Sequence, residues 1–246
     1  MTVLYMKNAD NISEFTIYRL SIYKRCLEQL ERENLKTVSS KDFAARFGLN
    51  SAQVRKDLAY FGEFGIRGMG YPITTLKKQI LSILGLAESS SGQKTWNAVL
   101  IGAGKIGTAL LKYQHFANYG FEIVAAFDAA PESSEYAQQQ QAGLVDTPIP
   151  LYPFEQLEQT ISEQPTDIAI LATSEENAQE IVNRLTRAGI HGILSFVPVQ
   201  LLVPPDVKVR TIDIIAELQC LTYHLHSEAL TQAENADETD SESHTT

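Results

Sequence analysis

The feature that most restricts this chain is a run of six residues, Gly102-Ala103-Gly104-Lys105-Ile106-Gly107, set between an apolar stretch and an amphipathic one. The preceding WNAVLI (96–101) reads as a strand, and a helical pattern follows through Tyr113. A GxGxxG spacing in a strand–turn–helix setting is the dinucleotide fingerprint. Gly102 permits the tight turn, Gly104 lets a pyrophosphate approach the backbone, and Gly107 lets the helix pack on the strand. Free N–H groups and the dipole at the helix N-terminus favour phosphate, so all six residues are expected around a bound nucleotide.

A second apolar run, FEIVAAF (121–127), ends at Asp128, 21 residues beyond Gly107. A spacing of about 20 is that of the acid that binds the adenosine ribose, and a carboxylate there favours NAD(H) over the 2′-phosphate of NADP(H). Further strands are expected at TDIAILAT (166–173), GIHGILSF (189–196) and VKVRTI (207–212), alternating with helical patterns. The fold class for 96–211 is therefore α/β, a Rossmann-type doubly wound parallel sheet with its ligand at the carboxyl edge. Thr173, Ser174, Phe196 and Pro198 sit at or beyond strand ends, where they are expected to line the nicotinamide pocket.

Residues 1–85 follow a different pattern. A first helix is expected from Ile12 to about Glu33, with Ile17, Leu20, Tyr23, Leu27 and Leu30 on one face. Ser39 or Ser40 caps KDFAARF, which ends at Gly48, and Asn50 or Ser51 caps SAQVRKDLAYF. Two helices joined by a short glycine-containing turn form a helix-turn-helix, whose second helix enters the major groove. Its expected exposed positions carry Ser51, Gln53, Arg55 and Lys56, while Val54 and Leu58 hold it to its own domain. Gln pairs bidentately with adenine and Arg or Lys with guanine, each pair giving about 1–3 kcal/mol of discrimination. GEFGIRGMGY (62–71) then supplies four glycines, read as a tight hairpin wing with Arg67 at its tip, poised for a narrow minor groove.

The net charge of -10 speaks against nucleic acid until its distribution is read. Residues 1–85 hold thirteen Lys/Arg against eight Asp/Glu, a balance of +5, and the rest of the chain carries -15. The basic part is the candidate for touching phosphates. A small polar stretch, 86–95, reads as a linker, and 212–227 as a helix with Ile212, Ile215, Leu218, Leu221 and Leu225 near helical spacing. Residues 228–246 read as a disordered acidic tail.

No apolar stretch approaches the roughly 20 residues of a membrane span, and MTVLYMKNADNISEF lacks the pattern of a signal peptide, so a cytoplasmic protein is expected. Cys26 and Cys220 are the only cysteines and read as buried thiols, with no metal site. His115, His191, His224 and His226 read as surface or packing residues, so no catalytic residue is assigned. The alternative is an NAD-dependent oxidoreductase, or a CoA-ligase-like nucleotide-binding protein, with a fused helical module.

With both motifs in place the chain resembles the Rex family of redox-sensing transcriptional repressors. The resemblance runs from about Tyr18 to His226. It is carried by Arg19-Leu20 with Tyr23, SAQVRKDLAYFGEFGIRGMGY (51–71), IGAGKIGTALLKY (101–113), AAFD (125–128), AGIHGILSF (188–196) and TIDIIAELQCLTYHL (211–225). It implies an N-terminal winged-helix domain and a homodimer whose C-terminal helix is domain-swapped, inserting between the domains of the partner. It also implies a palindromic double-stranded operator, released when NADH binds, with NAD⁺ competing for the same site. By matched motif, Arg19, Tyr113 and Asp213 are the switch residues. Ser21, Thr173-Ser174 and Ser195 depart from the family's usual residues, the last two sites lying near the expected nicotinamide pocket.

Overall fold

The computed structural model describes residues 12–89 and 92–227, and the expected acidic tail lies outside them. The chain divides into two compact units, Met1–Thr95 and Trp96–Thr246.

In the first unit, α1 (Glu14–Arg32) buries Leu20, Tyr23, Leu27 and Leu30 at helical spacing. After it, β1 (Thr37–Val38) leads into α2 (Ser40–Phe47), where Ser39 Oγ accepts from the Asp42 N–H at 3.0 Å. The helix ends at Gly48, left-handed at φ 64°. Asn50 Oδ1 then accepts from the N–H groups of Ala52 and Gln53, starting α3 (Ser51–Ala59). β2 (Tyr71–Pro72) pairs antiparallel with β1, and α4 (Ile73–Ile83) packs back on α1. Val54 and Leu58 of α3 join Phe43, Ile73 and Ile80 in one core. The glycine-rich segment makes a single bridge, Ile66 to Gly70, rather than a laddered hairpin. Gly70 is needed for space: a Cβ there would lie 2.5 Å from Val38 O.

β3 (Glu88–Ser89) and β4 (Gly92–Gln93) fall where the linker was expected. The second unit opens with β5 (Trp96–Ile101), α5 (Lys105–Leu111), a 3₁₀ turn and β6 (Phe121–Asp128). Then come α6 (Glu135–Gln141), β7 (Leu151–Pro153), α7 (Leu157–Glu163), β8 (Ile168–Leu171), α8 (Glu175–Arg187), β9 (Gly192–Ser195) and β10 (Lys208–Thr211). The six strands are all parallel, in the order β7-β6-β5-β8-β9-β10. Strand order therefore reverses between β5 and β8, the point at which doubly wound sheets bind ligands.

Strand alternation feeds two cores. Val99 and Ile101 face α7 and α8, whereas Ala98 and Leu100 face α5 and α6. A register shift opposite Ala98/Val99 lets Ile123 join the second core and Ala125 the first, although both hold odd positions on β6. α8 closes one face with Ala178, Ile181, Val182 and Leu185. A final helix, α9 (214–227), is capped by Asp213, whose Oδ1 accepts from the Ile215 and Ala216 N–H groups at 3.0 Å. Ile215, Leu218, Leu221 and Leu225 on α9 are all more than half exposed. Cys220 is exposed there too, a correction to its reading as a buried thiol, because α9 covers no apolar surface that would enclose it.

Candidate dinucleotide site and nucleic-acid interface

The three fingerprint glycines do three different things. Gly102 has φ +98°, and a Cβ there would lie 2.4 Å from Ala172 O, so only glycine lets β5 turn so close to the end of β8. A Cβ on Gly107 would lie 1.8 Å from Gly102 O, so glycine is what seats α5 on the strand. Gly104, which precedes α5, has nothing within 4 Å of a Cβ position. Its open face is a cradle that a side chain would fill. Ala103 is buried beneath it, whereas Lys105 and Ile106 are exposed on the first turn of α5.

Asp128 ends β6 beside this turn. Its Oδ2 accepts from the Ala103 N–H at 2.7 Å and its Oδ1 from the Ala130 N–H at 2.9 Å. The carboxylate is thus aimed by the fingerprint loop itself and remains half-exposed. A cavity of about 410 Å³ opens along the strand ends, lined by Gly102, Asp128, Phe154, Thr173, Asn177 and Arg184 among others. An open glycine cradle, an acid at the second strand end and the reversal of strand order together fit a dinucleotide.

Of the expected nicotinamide residues, only Thr173 lines this cavity. Ser174 precedes α8 and accepts from Asn177 Nδ2 at 3.1 Å. Phe196 is half-buried beyond β9, and Pro198 is exposed. Ser195 is fully buried, its Oγ accepting from the Val197 N–H at 3.1 Å, so it shapes the loop that carries Phe196. Sequence reasoning missed the cavity's far wall. There Arg184 donates to both oxygens of Glu158 at 2.6 Å and lies 4.1 Å over the Phe154 ring. That hydrogen bonding holds the Glu158 carboxyl below the usual range. Phe154 follows a three-residue strand bounded by prolines, too short for any period-2 signal.

On the first unit, Arg55 and Lys56 are exposed on α3, and Arg67 is exposed on the glycine-rich segment. Ser51 is half-buried. Arg55 Nη1 donates to Ser40 Oγ at 3.0 Å, which lays the guanidinium across the start of α2. Arg67 lines an open groove of about 870 Å³ with Ser39, Arg46 and Met69.

Gln53 is not the exposed reader expected. It is half-buried because its Nε2 donates to Asp57 Oδ1 at 2.7 Å. Asp57 itself is fully buried, and Arg19 grips it at both oxygens, Nε to Oδ2 at 2.6 Å and Nη2 to Oδ1 at 2.7 Å. Tyr23 Oη donates to Oδ2 at 2.8 Å. Burial alone would raise the Asp57 carboxyl, but the hydrogen bonds from Arg19, Tyr23 and Gln53 outweigh it and hold it below the usual range. Burial, then the bond to Asp57, pushes the Tyr23 phenol up. A signal for this cluster was present: Asp57 sits between Val54 and Leu58 on the helix face that must be buried, where an unpaired charge is untenable.

Each expected switch residue has a local partner. Arg19 holds Asp57, Asp213 caps α9, and Tyr113 packs edge-on against Phe116 at 5.1 Å between ring centroids. Among the described residues no helix is long and apolar enough to cross a membrane, and no group of His, Cys, Asp or Glu could hold a metal ion.

Comparison with known families matches residues 11–59 to "Putative DNA-binding protein N-terminus" and 93–199 to "CoA binding domain". The redox-sensing transcriptional repressor Rex of Carboxydothermus hydrogenoformans is 42% identical over 87% of this chain and 96% of its own. That of Streptomyces coelicolor is 39% identical over 87% and 77%. The crystal structure of RSP in complex with beta-NAD+ and operator DNA superposes with a TM-score of 0.77 at 34% identity, covering 92% of this chain and 97% of its own. The complex of RSP with beta-NADH superposes at 0.74, with 33% identity and coverage of 91% and 98%.

Proposed function

This chain belongs to the Rex family of redox-sensing transcriptional repressors, and from that premise we propose that it is a homodimeric repressor of palindromic operators, released when NADH binds its Rossmann unit. The observation that carries the reading is the open Gly104 cradle beside the loop-anchored Asp128 carboxylate, in one chain with a basic winged-helix unit. The Gly102–Gly107 turn, with Ala103, Lys105 and Ile106, holds the pyrophosphate. Asp128 takes the ribose hydroxyls and disfavours a 2′-phosphate. Thr173, Ser174, Phe196 and Pro198 approach the nicotinamide. On the other unit Ser51, Gln53, Arg55 and Lys56 face the major groove, and Arg67 the minor groove.

The switch is a population shift. NADH favours a closed dimer whose reader helices no longer match both half-sites, and NAD⁺ competes without enforcing that closure. The exposed apolar face of α9 inserts between the units of the partner subunit. Arg19, Tyr113 and Asp213 exchange partners as the dimer closes. The protein acts in the cytoplasm and performs no hydride transfer.

The deciding experiment is fluorescence anisotropy of a labelled palindromic duplex at fixed salt, titrated with NADH and separately with NAD⁺. Release by NADH at concentrations where NAD⁺ does little is the expected result. Equal response to both ligands, or steady NADH oxidation with a small substrate, would overturn it.

A further inference from the structure

Turn tips are ordinarily small and polar, because their side chains stand in water. The turn that follows α3 departs from this. Ile66 N–H donates to Gly70 O at 2.8 Å, and Ile66 O accepts from the N–H groups of Met69 and Gly70 at 3.0 and 2.9 Å. Gly68 and Gly70 take φ of +81° and +87°, a backbone path that suits glycine. The foot of the turn is packed closely as well, since a Cβ on Gly65 would lie 3.2 Å from the Tyr71 ring. The tip is therefore a fixed shape.

That shape holds one cation, Arg67, between two large apolar side chains. Ile66 is 49% exposed and Met69 56%, and neither joins the core of the first unit. One exposed apolar residue carries no message. Two of them on a closed turn, flanking its only charge, make a patterned tip: apolar, cationic, apolar.

The minor groove of DNA carries the matching pattern. At about 6 Å wide it shuts out a helix, roughly 10 Å across, and admits side chains from a turn. Its floor offers the acceptors adenine N3 and thymine O2, and its walls are the C–H faces of the deoxyriboses. Guanine adds an amino group to that floor, which opposes the donors of a guanidinium and lifts neighbouring side chains off the walls.

We propose that Ile66 and Met69 seat against the deoxyribose walls of the minor groove on either side of Arg67, so that the wing selects a groove free of the guanine amino group by apolar fit as well as by charge. The inference rests on the first unit being the DNA-binding one. It gives the two side chains a recognition role that adds no dependence on salt, because apolar contact releases no counterions.

The test begins with a duplex selected from a randomised pool by the full-length protein. Its adenines are replaced one at a time by 2,6-diaminopurine, which adds the minor-groove amino group and leaves the major-groove edge as it was. Its guanines are replaced by inosine, which removes that group. Diaminopurine at the wing positions should weaken binding about five- to tenfold, the low end for one altered base pair. Inosine in place of a guanine introduced at the same positions should restore it.

Ile66→Ala and Met69→Ala should each weaken binding about three- to tenfold per bound wing, as for half the burial of such a side chain. The slope of affinity against salt should stay as in the wild type, whereas Arg67→Ala should lower it. The diaminopurine penalty should shrink in both apolar variants, because a wing without its wall contact has less to lose. Met69→Leu should keep both the affinity and the penalty. Both side chains stand half in water, so the alanine variants should melt with the wild type.

An amino group that changes nothing at any position would overturn the proposal. So would alanine variants that bind as the wild type does, or that weaken every duplex equally with the penalty undiminished. Failure of the wild-type protein to bind any duplex in the pool is a separate result, and it would remove the DNA-binding reading itself.

Discussion

Arg19 of α1 grips both carboxylate oxygens of Asp57 on α3, at 2.6 and 2.7 Å, and Asp57 has no exposure to solvent. Bidentate geometry on a buried acid makes this pair a structural tie between α1 and α3. Among the described residues the other ion pairs are partly or largely exposed, including Arg46–Glu33 at the α2 surface.

The two kinds of pair should behave differently on truncation. Arg19→Ala leaves a buried carboxylate without its cation and is expected to cost about 2–4 kcal/mol. Arg46→Ala should cost less than about 1 kcal/mol, since its pair is screened by water. Urea unfolding midpoints of the two variants check this, and equal midpoints would deny Asp57 its anchoring role.

Acid stability carries the same signature. Asp57 in the folded chain lies below its ordinary value, and so do Glu31, beside Lys77, and Glu158, beside Arg184. A depressed carboxyl contributes stability that is complete above the unfolded-state value, about 4. That contribution is lost as pH falls through the lower folded-state value. Stability should therefore hold from neutrality to about pH 5 and decline below it. Asp57→Asn should start lower at neutral pH and decline less steeply in acid. An acid limb of unchanged slope in that variant would show that Asp57 does not drive the loss.

The Rossmann unit was legible in the sequence because each of its determinants is local. Strand WNAVLI, the three glycines and Asp128 all lie within 33 residues, and their spacing alone implies one backbone path. The caps at Ser39 and Asn50 and the stop at Gly48 were legible for the same reason. What remained hidden depends on contacts between distant residues. Asp57 meets Arg19 across 38 positions, and Arg184 meets Glu158 across 26. The inward turn of Gln53 followed from the first of these, so exposure read from helical position alone misplaced it.

α9 carries Ile215, Leu218, Leu221 and Leu225 to the surface, more apolar side chain than a lone helix leaves in water without a partner. With the domain-swapped dimer proposed above, Leu221→Asp should shift the protein toward monomer in sedimentation velocity and weaken operator binding through loss of the second half-site. Unfolding of the second unit should be little affected, since Leu221 joins neither of its cores. A dimer that survives this change would place the interface elsewhere.

Asp128→Ala removes the carboxylate that accepts from the Ala103 and Ala130 N–H groups. NADH affinity should fall by about ten- to a hundredfold, the value of one hydrogen bond to a charged group. NADPH should lose less or gain, because the repulsion of its 2′-phosphate disappears. Isothermal titration with the two ligands reads the ratio, and an unchanged preference would take Asp128 out of the ribose site.

Gly104 and Gly107 offer the sharpest separation of folding from binding. Both become alanine by adding one methyl group, yet their surroundings differ. At Gly107 the methyl would lie 1.8 Å from Gly102 O, backbone that cannot yield without moving β5 or α5. Gly107→Ala should therefore destabilise the second unit by more than about 3 kcal/mol, in the range of overpacked cores or beyond. At Gly104 the methyl meets nothing within 4 Å, and φ of -75° suits any residue. Gly104→Ala should fold normally, with its melting temperature nearly unchanged. The added methyl occupies the cradle assigned to the pyrophosphate, so NADH binding should fall at least tenfold while operator binding without ligand persists. A Gly104→Ala protein that is still released from DNA by NADH at wild-type concentrations would mean that the phosphates lie somewhere other than on this turn.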